Sequence, residues 1–279
     1  MSTGFQLGPL SLSWGMLIFF VAVFSALSVG ERVARKLNVP LKGQLYIALA
    51  VGIIAARLAF VLQFSDAYLD DPIRIIDIRD GGWHVLVGFA ALWVYVAGVA
   101  LRLPIYRKPL ISAAATATVL WAIGAALLSF LSPRVVPLPA FNSTLLDGAP
   151  VAITDFKGKP TVINLWATWC PPCVREMPVL QRAQQDYPDV NVVFINQGEP
   201  VKTIRRFMDQ HALSLQNVVL DPRSETSVML KQRGMPSTLF FDKNGVLVDT
   251  RLGELSQATL MQRLGRIRDA EPLPSGQGR

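Results

Sequence analysis

The sequence predicts a two-part chain, an N-terminal four-helix transmembrane domain followed by a C-terminal α/β domain. Three observations carry this. Four long apolar stretches fill the first 132 positions. The whole chain is 51% apolar and only 17% charged, a low charge fraction for a water-soluble protein. Beyond residue 142, short apolar runs alternate with helical patterns, the order expected of a sheet flanked by helices.

The four stretches are 10–30, 43–64, 83–101 and 109–131. Each is long enough, or nearly so, to cross a hydrocarbon core of ~30 Å as a helix. Around the first, Ala26-Leu27-Ser28 resembles a signal-peptide cleavage site. However, residues 1–13 hold no Lys or Arg, so the basic leader is missing and the stretch reads as a span. Loop one carries Arg32, Arg35, Lys36 and Lys42, and loop three carries Arg102, Arg107 and Lys108. Loop two, around 65–82, holds five Asp against Arg74 and Arg79. Lys/Arg excess marks the cytoplasmic side, so loops one and three are expected inside and both termini outside. The C-terminal part then faces the periplasm or an equivalent oxidising space, with the spans in a bacterial inner membrane. Arg57 lies within the second span, where a charge either marks function or pairs with an Asp of loop two, or snorkels to the interface.

Charge and cysteine usage exclude several functions. The net charge is +7, made of 27 Lys and Arg against 20 Asp and Glu. No basic block interleaves with aromatics, so no nucleic-acid partner is expected. The two cysteines and two distant histidines, His84 and His211, do not make a four-ligand zinc site. Neither a metal nor a cofactor is expected.

Within the membrane half, Ala56-Arg57-Leu58, Asp71-Pro72 and Gly81-Gly82 before the third span resemble the prolipoprotein diacylglyceryl transferase family. The resemblance covers mainly residues 50–90. That family carries a histidine shortly after the paired glycines. Without a gap its position falls on Leu86, and His84 takes the place only if the loop is two residues shorter. The family's later polar segments have no counterpart after the fourth span. The resemblance therefore implies a shortened relative that has lost transfer chemistry, while a role in binding membrane lipid or docking a partner would survive.

Residues 133–142 form a Pro-rich linker, expected to be extended and semi-rigid. The α/β domain is expected over 143–270, with a disordered tail at 271–279. Asp147-Gly148 signals a hairpin between short runs at 143–154. The run 161–167 (TVINLWA) suits a central buried strand. It ends in Thr168-Trp169-Cys170-Pro171-Pro172-Cys173, and a helix follows with Val174, Met177, Leu180 and Ala183 on one face. Further elements are a strand at 190–196, a helix at 199–211 and a helix from Ser224 to about 233. Strands at 236–242 and 246–252 then flank a tight turn at Lys243-Asn244-Gly245. The last helix spans about 256–268.

A Cys-x-x-Cys that follows a buried strand and opens a helix has the context of a redox pair. Free N–H groups and the helix dipole favour an anion there, so Cys170 can be a thiolate near neutral pH, which is the reactive form. Pro171 and Pro172 are tolerated because early helical positions need no N–H partner. Cys173, one turn in, suits the resolving thiol. A static disulfide closing so short a loop would add little stability.

Residues 140–268 resemble the TlpA/ResA-like periplasmic branch of the thioredoxin fold. The matching stretches are 164–178, 192–196, 234–242 and 244–254. The resemblance implies a Cys170–Cys173 disulfide, with Cys170 attacking and Cys173 resolving. It implies that Trp169 packs beside that disulfide and that Pro236, after Met235, has a cis bond opposite it. Glu176 matches a glutamate that some of these reductases use near the cysteines; read as an ordinary helix residue it would be solvated. Asn164 stands where thioredoxin has an acidic residue, so Glu176, Glu199 or water must take the proton of Cys173. The role of Gln197-Gly198-Glu199 stays open.

The function expected is a membrane-anchored periplasmic thiol–disulfide oxidoreductase that reduces protein disulfides, for example in cytochrome c maturation. The membrane half has no cysteine, so a separate transmembrane thiol reductant is required. One alternative is a disulfide oxidase or isomerase with the same cysteines. Another, of a different class, is a lipid-binding or diacylglyceryl-transferase-like membrane protein.

Overall fold

The computed structural model describes residues 4–7, 10–69, 72–131 and 136–268. The expected tail at 271–279 and residues 133–135 of the expected linker lie outside these. The chain divides into two compact units, one holding the apolar helices and one the α/β domain.

Two short strands, β1 (Gly4–Leu7) and β2 (Leu10–Ser13), pair ahead of the helices. β2 takes the start of the expected first span. Leu10-Ser11-Leu12-Ser13 alternates with period two, which suits a strand rather than a helix. The membrane unit then comprises α1 (Trp14–Lys36), α2 (Lys42–Gln63), the short α3 (Asp66–Leu69), α4 (Val85–Arg102) and α5 (Arg107–Leu131). All four long helices have the length and composition to cross a membrane. α1 runs six residues past the expected end at 30, because nothing breaks it before Asn38, whose φ is 53°, and Pro40.

α1 packs chiefly on α5, and α2 on α4. Both contacts rest on small residues, which let backbones approach where lipid removes the hydrophobic drive to associate. A Cβ on Gly88 of α4 would lie 2.9 Å from Gly52 O and from Ala56 Cβ of α2. Arg57 is buried and pairs with Asp80 of loop two at 3.0 Å, which realises the pairing alternative for this intramembrane charge.

In the α/β unit, residues 136–141 run along the domain: Leu138 N–H donates to Gly245 O, Leu247 N–H donates to Val136 O, and Leu138 and Phe141 are buried. The hairpin of β3 (Asn142–Thr144) and β4 (Pro150–Ala152) forms around Asp147-Gly148 as expected. The main sheet has the order β7-β6-β5-β8-β9. Its strands are β5 (Thr161–Trp166), β6 (Asn191–Gln197), β7 (Val218–Asp221), β8 (Ser237–Phe241) and β9 (Leu247–Leu252). β5, β6 and β7 are parallel; β8 and β9 are antiparallel to their neighbours.

Helices α6 (Pro171–Asp186), α7 (Val201–Gln210) and α9 (Gln257–Arg268) cover one face, packing on Val162, Trp166 and Phe194. Ile163, Leu165 and Val193 point to the other face, where Ile153 and Leu230 close a second core. With both faces covered, the central strands read as nearly unbroken apolar runs.

Two expectations need correction. Strand β7 lies in residues that the sequence leaves between its two expected helices, and α8 (Glu225–Met229) is shorter than the helix expected to 233. Lys231 has φ 55°, so the helix cannot continue through it. On α6 the fully buried positions are Cys173, Glu176, Met177, Leu180 and Ala183; Val174 is only partly covered.

Candidate active site

The end of β5 delivers the chain to the start of α6, and this junction holds Cys170 and Cys173. Cys170 is the N-cap residue, with extended backbone (φ −95°, ψ 103°), and Pro171 and Pro172 fill the first two helical positions. Proline has no N–H, so among the first three helical residues only Cys173 retains a backbone donor to offer the Cys170 sulfur. The dipole of the 16-residue helix adds to the stabilisation of an anion there. The two sulfurs form a disulfide with Cα atoms 5.3 Å apart, and both cysteines are buried in the core beneath α6.

The Met235–Pro236 peptide bond is cis. Pro236 directly precedes Ser237, which pairs with Leu165 near the end of β5. This register puts Pro236 beside the strand end that leads into the redox motif, and Gly253 N–H donates to its carbonyl at 2.8 Å. Trp169, directly before Cys170, is 66% exposed.

Glu176 is the largest departure from a simple helix reading. It is fully buried, one turn beyond Cys173 on the same face of α6. Its Oε1 accepts from Asn164 Nδ2 at 2.7 Å, and its Oε2 accepts from Leu255 N–H at 2.9 Å. Burial pushes the carboxyl up to about 8, against the opposing pull of these two hydrogen bonds. The carboxyl near the redox pair therefore comes from the helix, and Asn164, the strand residue, holds it. Asn164 Nδ2 also donates to Thr238 Oγ1 at 3.0 Å, which ties the group to β8.

Glu199 also acquires a place. Its Oε2 accepts from Thr168 N–H at 2.7 Å and from Asn196 Nδ2 at 2.7 Å, and its Oε1 accepts from the Thr168 hydroxyl. It thereby clamps the backbone two residues before Cys170. Gly198, with φ 82°, makes the turn that brings Glu199 back to β5. Gln197 is buried and donates to Thr226 Oγ1 at 3.0 Å and to Asp221 Oδ2 at 3.3 Å, so it fastens β6 to β7 and α8. The sequence holds no local signal for these partners, because Asn164, Thr168 and Asp221 are all distant along the chain.

A four-residue dithiol loop at a helix N-terminus, a cis-proline at the facing strand end and a central mixed sheet define a thioredoxin-like thiol–disulfide protein. The redoxin family model matches residues 136–263. The chain is 32% identical over 133 residues to the thioredoxin-like protein YneN of Bacillus subtilis, covering 45% of this chain and 75% of that one. It is 30% identical over 132 residues to the thiol-disulfide oxidoreductase ResA of Geobacillus thermodenitrificans, covering 47% and 75%. A solved thiol:disulfide interchange protein of the thioredoxin family from Chlorobium tepidum superposes with a TM-score of 0.45 and 24% identity, covering 49% of this chain and 98% of that one. The chain belongs to the ResA-like family of thioredoxin-fold thiol–disulfide oxidoreductases. The prolipoprotein diacylglyceryl transferase family model matches residues 2–128, so that resemblance extends over the whole helical unit rather than residues 50–90 alone.

Proposed function

We propose that the protein is a membrane-anchored reductase of protein disulfides whose redox domain faces the periplasm. The observation that carries this is the Cys170–Cys173 disulfide at the N-terminus of α6 with the buried Glu176 carboxyl one turn behind it. The Lys/Arg-rich connections α1–α2 and α4–α5, set against the acidic 65–82 loop, support the orientation.

In the reduced protein the Cys170 thiolate attacks one sulfur of the substrate disulfide. A Cys170–substrate bond forms, the substrate S–S bond breaks, and the leaving substrate thiolate takes a proton. Cys173 then gives its proton to the Glu176 carboxylate, and its thiolate attacks Cys170 Sγ. The mixed disulfide breaks, the second substrate sulfur leaves as a thiolate, and the Cys170–Cys173 disulfide remains. A carboxyl shifted up to about 8 is well matched to a thiol as a proton acceptor near neutral pH. Return to the dithiol needs an outside thiol reductant, because the chain has two cysteines in all and neither is in the membrane half. A transmembrane dithiol protein fits that role, and oxidised thiol proteins of the periplasm, including those of cytochrome c maturation, fit the substrate role.

No diacylglyceryl transfer is assigned to the helical unit, since Leu86 occupies the aligned histidine position. The decisive experiment is trapping. In Cys173→Ser protein expressed in cells, Cys170 should accumulate mixed disulfides with its substrates, which mass spectrometry identifies. Absence of any Cys170-linked protein, with the fold intact, would refute the reductase reading.

A further inference from the structure

Arg57 uses all five of its N–H donors on one loop. Its Nε donates to Ile75 O at 2.9 Å. Its Nη1 donates to Asp80 Oδ1 at 3.0 Å and Gly82 O at 2.8 Å, and its Nη2 to Arg74 O at 2.8 Å and Asp77 O at 2.9 Å. One guanidinium thus satisfies four backbone carbonyls and a carboxylate. The rings of Tyr68, Trp83 and Phe60 surround it at 5.5–6.0 Å.

The loop also sits low against α2. His84 N–H donates to Ala56 O at 3.0 Å, and a Cβ on Gly82 would lie 2.3 Å from the Phe60 ring. α4 therefore begins level with Ala56, while α2 continues about two turns, about 10 Å, beyond that level to Gln63. With 18 residues, α4 is about 27 Å long and closely fills the hydrocarbon core. The last two turns of α2 and the loop packed beside them then fall in the boundary layer between acyl chains and headgroups.

Beside the exposed Ser65, Asp66 and Arg79, the loop presents four large apolar side chains. Leu69, Ile73, Ile76 and Ile78 are 74%, 76%, 80% and 61% exposed. Leu58 and Leu62 on α2 and Leu86 on α4 are exposed as well. Non-helical backbone at such depth requires its polar groups to be satisfied from within, which is what Arg57 does.

We propose that residues 65–69 and 72–82 form a lipid-contacting interfacial surface, folded against α2 by Arg57 and Asp80, with Ile73 and Ile76 immersed among phospholipid acyl chains. The occupant of this face is the bilayer, because Arg57 and the His84–Ala56 hydrogen bond hold the loop against the outer two turns of α2, a helix apolar enough to cross a membrane whose own Leu58 and Leu62 are exposed.

Nitroxide labels decide this. The label is placed singly at Ile73→Cys or Ile76→Cys in full-length Cys170→Ser/Cys173→Ser protein, in nanodiscs of phosphatidylethanolamine and phosphatidylglycerol. Leu62→Cys serves as the lipid reference and Lys202→Cys in the redox domain as the water reference. Labels at 73 and 76 should collide with oxygen far more often than with a water-soluble nickel chelate, as at 62. Nickel collision rates equal to those at 202 would place the loop in water and overturn the proposal. Shielding from both reagents would show that a protein covers the face, and would overturn it equally. Adding Arg57→Gln should raise the nickel collision rate at 76 several-fold. An unchanged rate would remove Arg57 from the proposal.

Discussion

Asn164 Nδ2 donates a 2.7 Å hydrogen bond to Glu176 Oε1, and both side chains are fully buried between the sheet and α6. The pair contributes to the pH response of the domain. Glu176 has its carboxyl raised from 4.5 to about 8 in the fold, chiefly by desolvation. The folded state therefore binds the proton more tightly than the unfolded chain. This contribution to stability is complete below pH 4.5 and is lost as pH rises towards about 8, with an upper bound of about 1.4 kcal/mol per pH unit. Glu176→Gln keeps the shape without the proton. The thermal midpoint of the oxidised full-length protein in detergent should fall between pH 5 and 8, and the Glu176→Gln variant should show a flatter profile. Parallel profiles would mean that Glu176 does not titrate in this range.

Removing the donor tests the same pair from the other side. The Asn164 hydrogen bond favours the ionised carboxylate and so holds the Glu176 value down. Asn164→Ala should move the Glu176-dependent limb of the pH–rate profile for disulfide reduction to higher pH. Turnover near pH 7 should then drop, because less carboxylate is available to take the Cys173 proton. A loss of rate at every pH with no shift of the limb would point to a packing defect instead. Thr238 also loses a partner in this variant, so a stability loss of about 1–3 kcal/mol is expected alongside.

The redox motif was legible because it combines a buried strand, two prolines and two cysteines within a few residues. The central strands were legible because both sheet faces are covered, which leaves Thr161–Trp166 and Asn191–Gln197 buried along nearly their whole length and mostly apolar. β7 was not. Its apolar run is only Val218-Val219-Leu220, it follows Asn217 in a left-handed conformation, and pairing with β6 rather than local propensity makes it a strand. The burial of Glu176 was equally hidden, because it depends on Asn164 on β5 and on Leu255, 79 residues away. In the helical unit the four spans followed from length and hydropathy, whereas the depth of the 65–82 loop depends on donors of Arg57 that no periodicity reveals.

The proposed orientation in the membrane rests on charge. Arg35, Lys36 and Lys42 flank one end of α1 and α2, and Arg102, Arg107 and Lys108 flank the corresponding ends of α4 and α5. A reporter that works only in the cytoplasm, fused after Arg279, should be silent, and an export-dependent reporter at the same place should be active. The reverse pattern would move the redox domain to the cytoplasm and remove the periplasmic substrates with it.

The proposed order of the two cysteines rests on their positions on α6. Cys170 caps the helix, where the Cys173 N–H and the dipole stabilise a thiolate. Cys173 lies within the first turn, fully buried, and next to a carboxyl that is itself hard to ionise. A negative Glu176 nearby further disfavours a Cys173 thiolate until the proton has moved between them. In the reduced protein, iodoacetamide at neutral pH should therefore modify Cys170 first, at a rate that falls with acid titration of its thiolate. Cys170→Ser should abolish attack on a model disulfide substrate. Cys173→Ser should retain the first attack and stall at the mixed disulfide, because no second thiolate is present to displace Cys170. Alkylation of Cys173 ahead of Cys170, or substrate capture by the Cys170→Ser protein, would reverse the assignment.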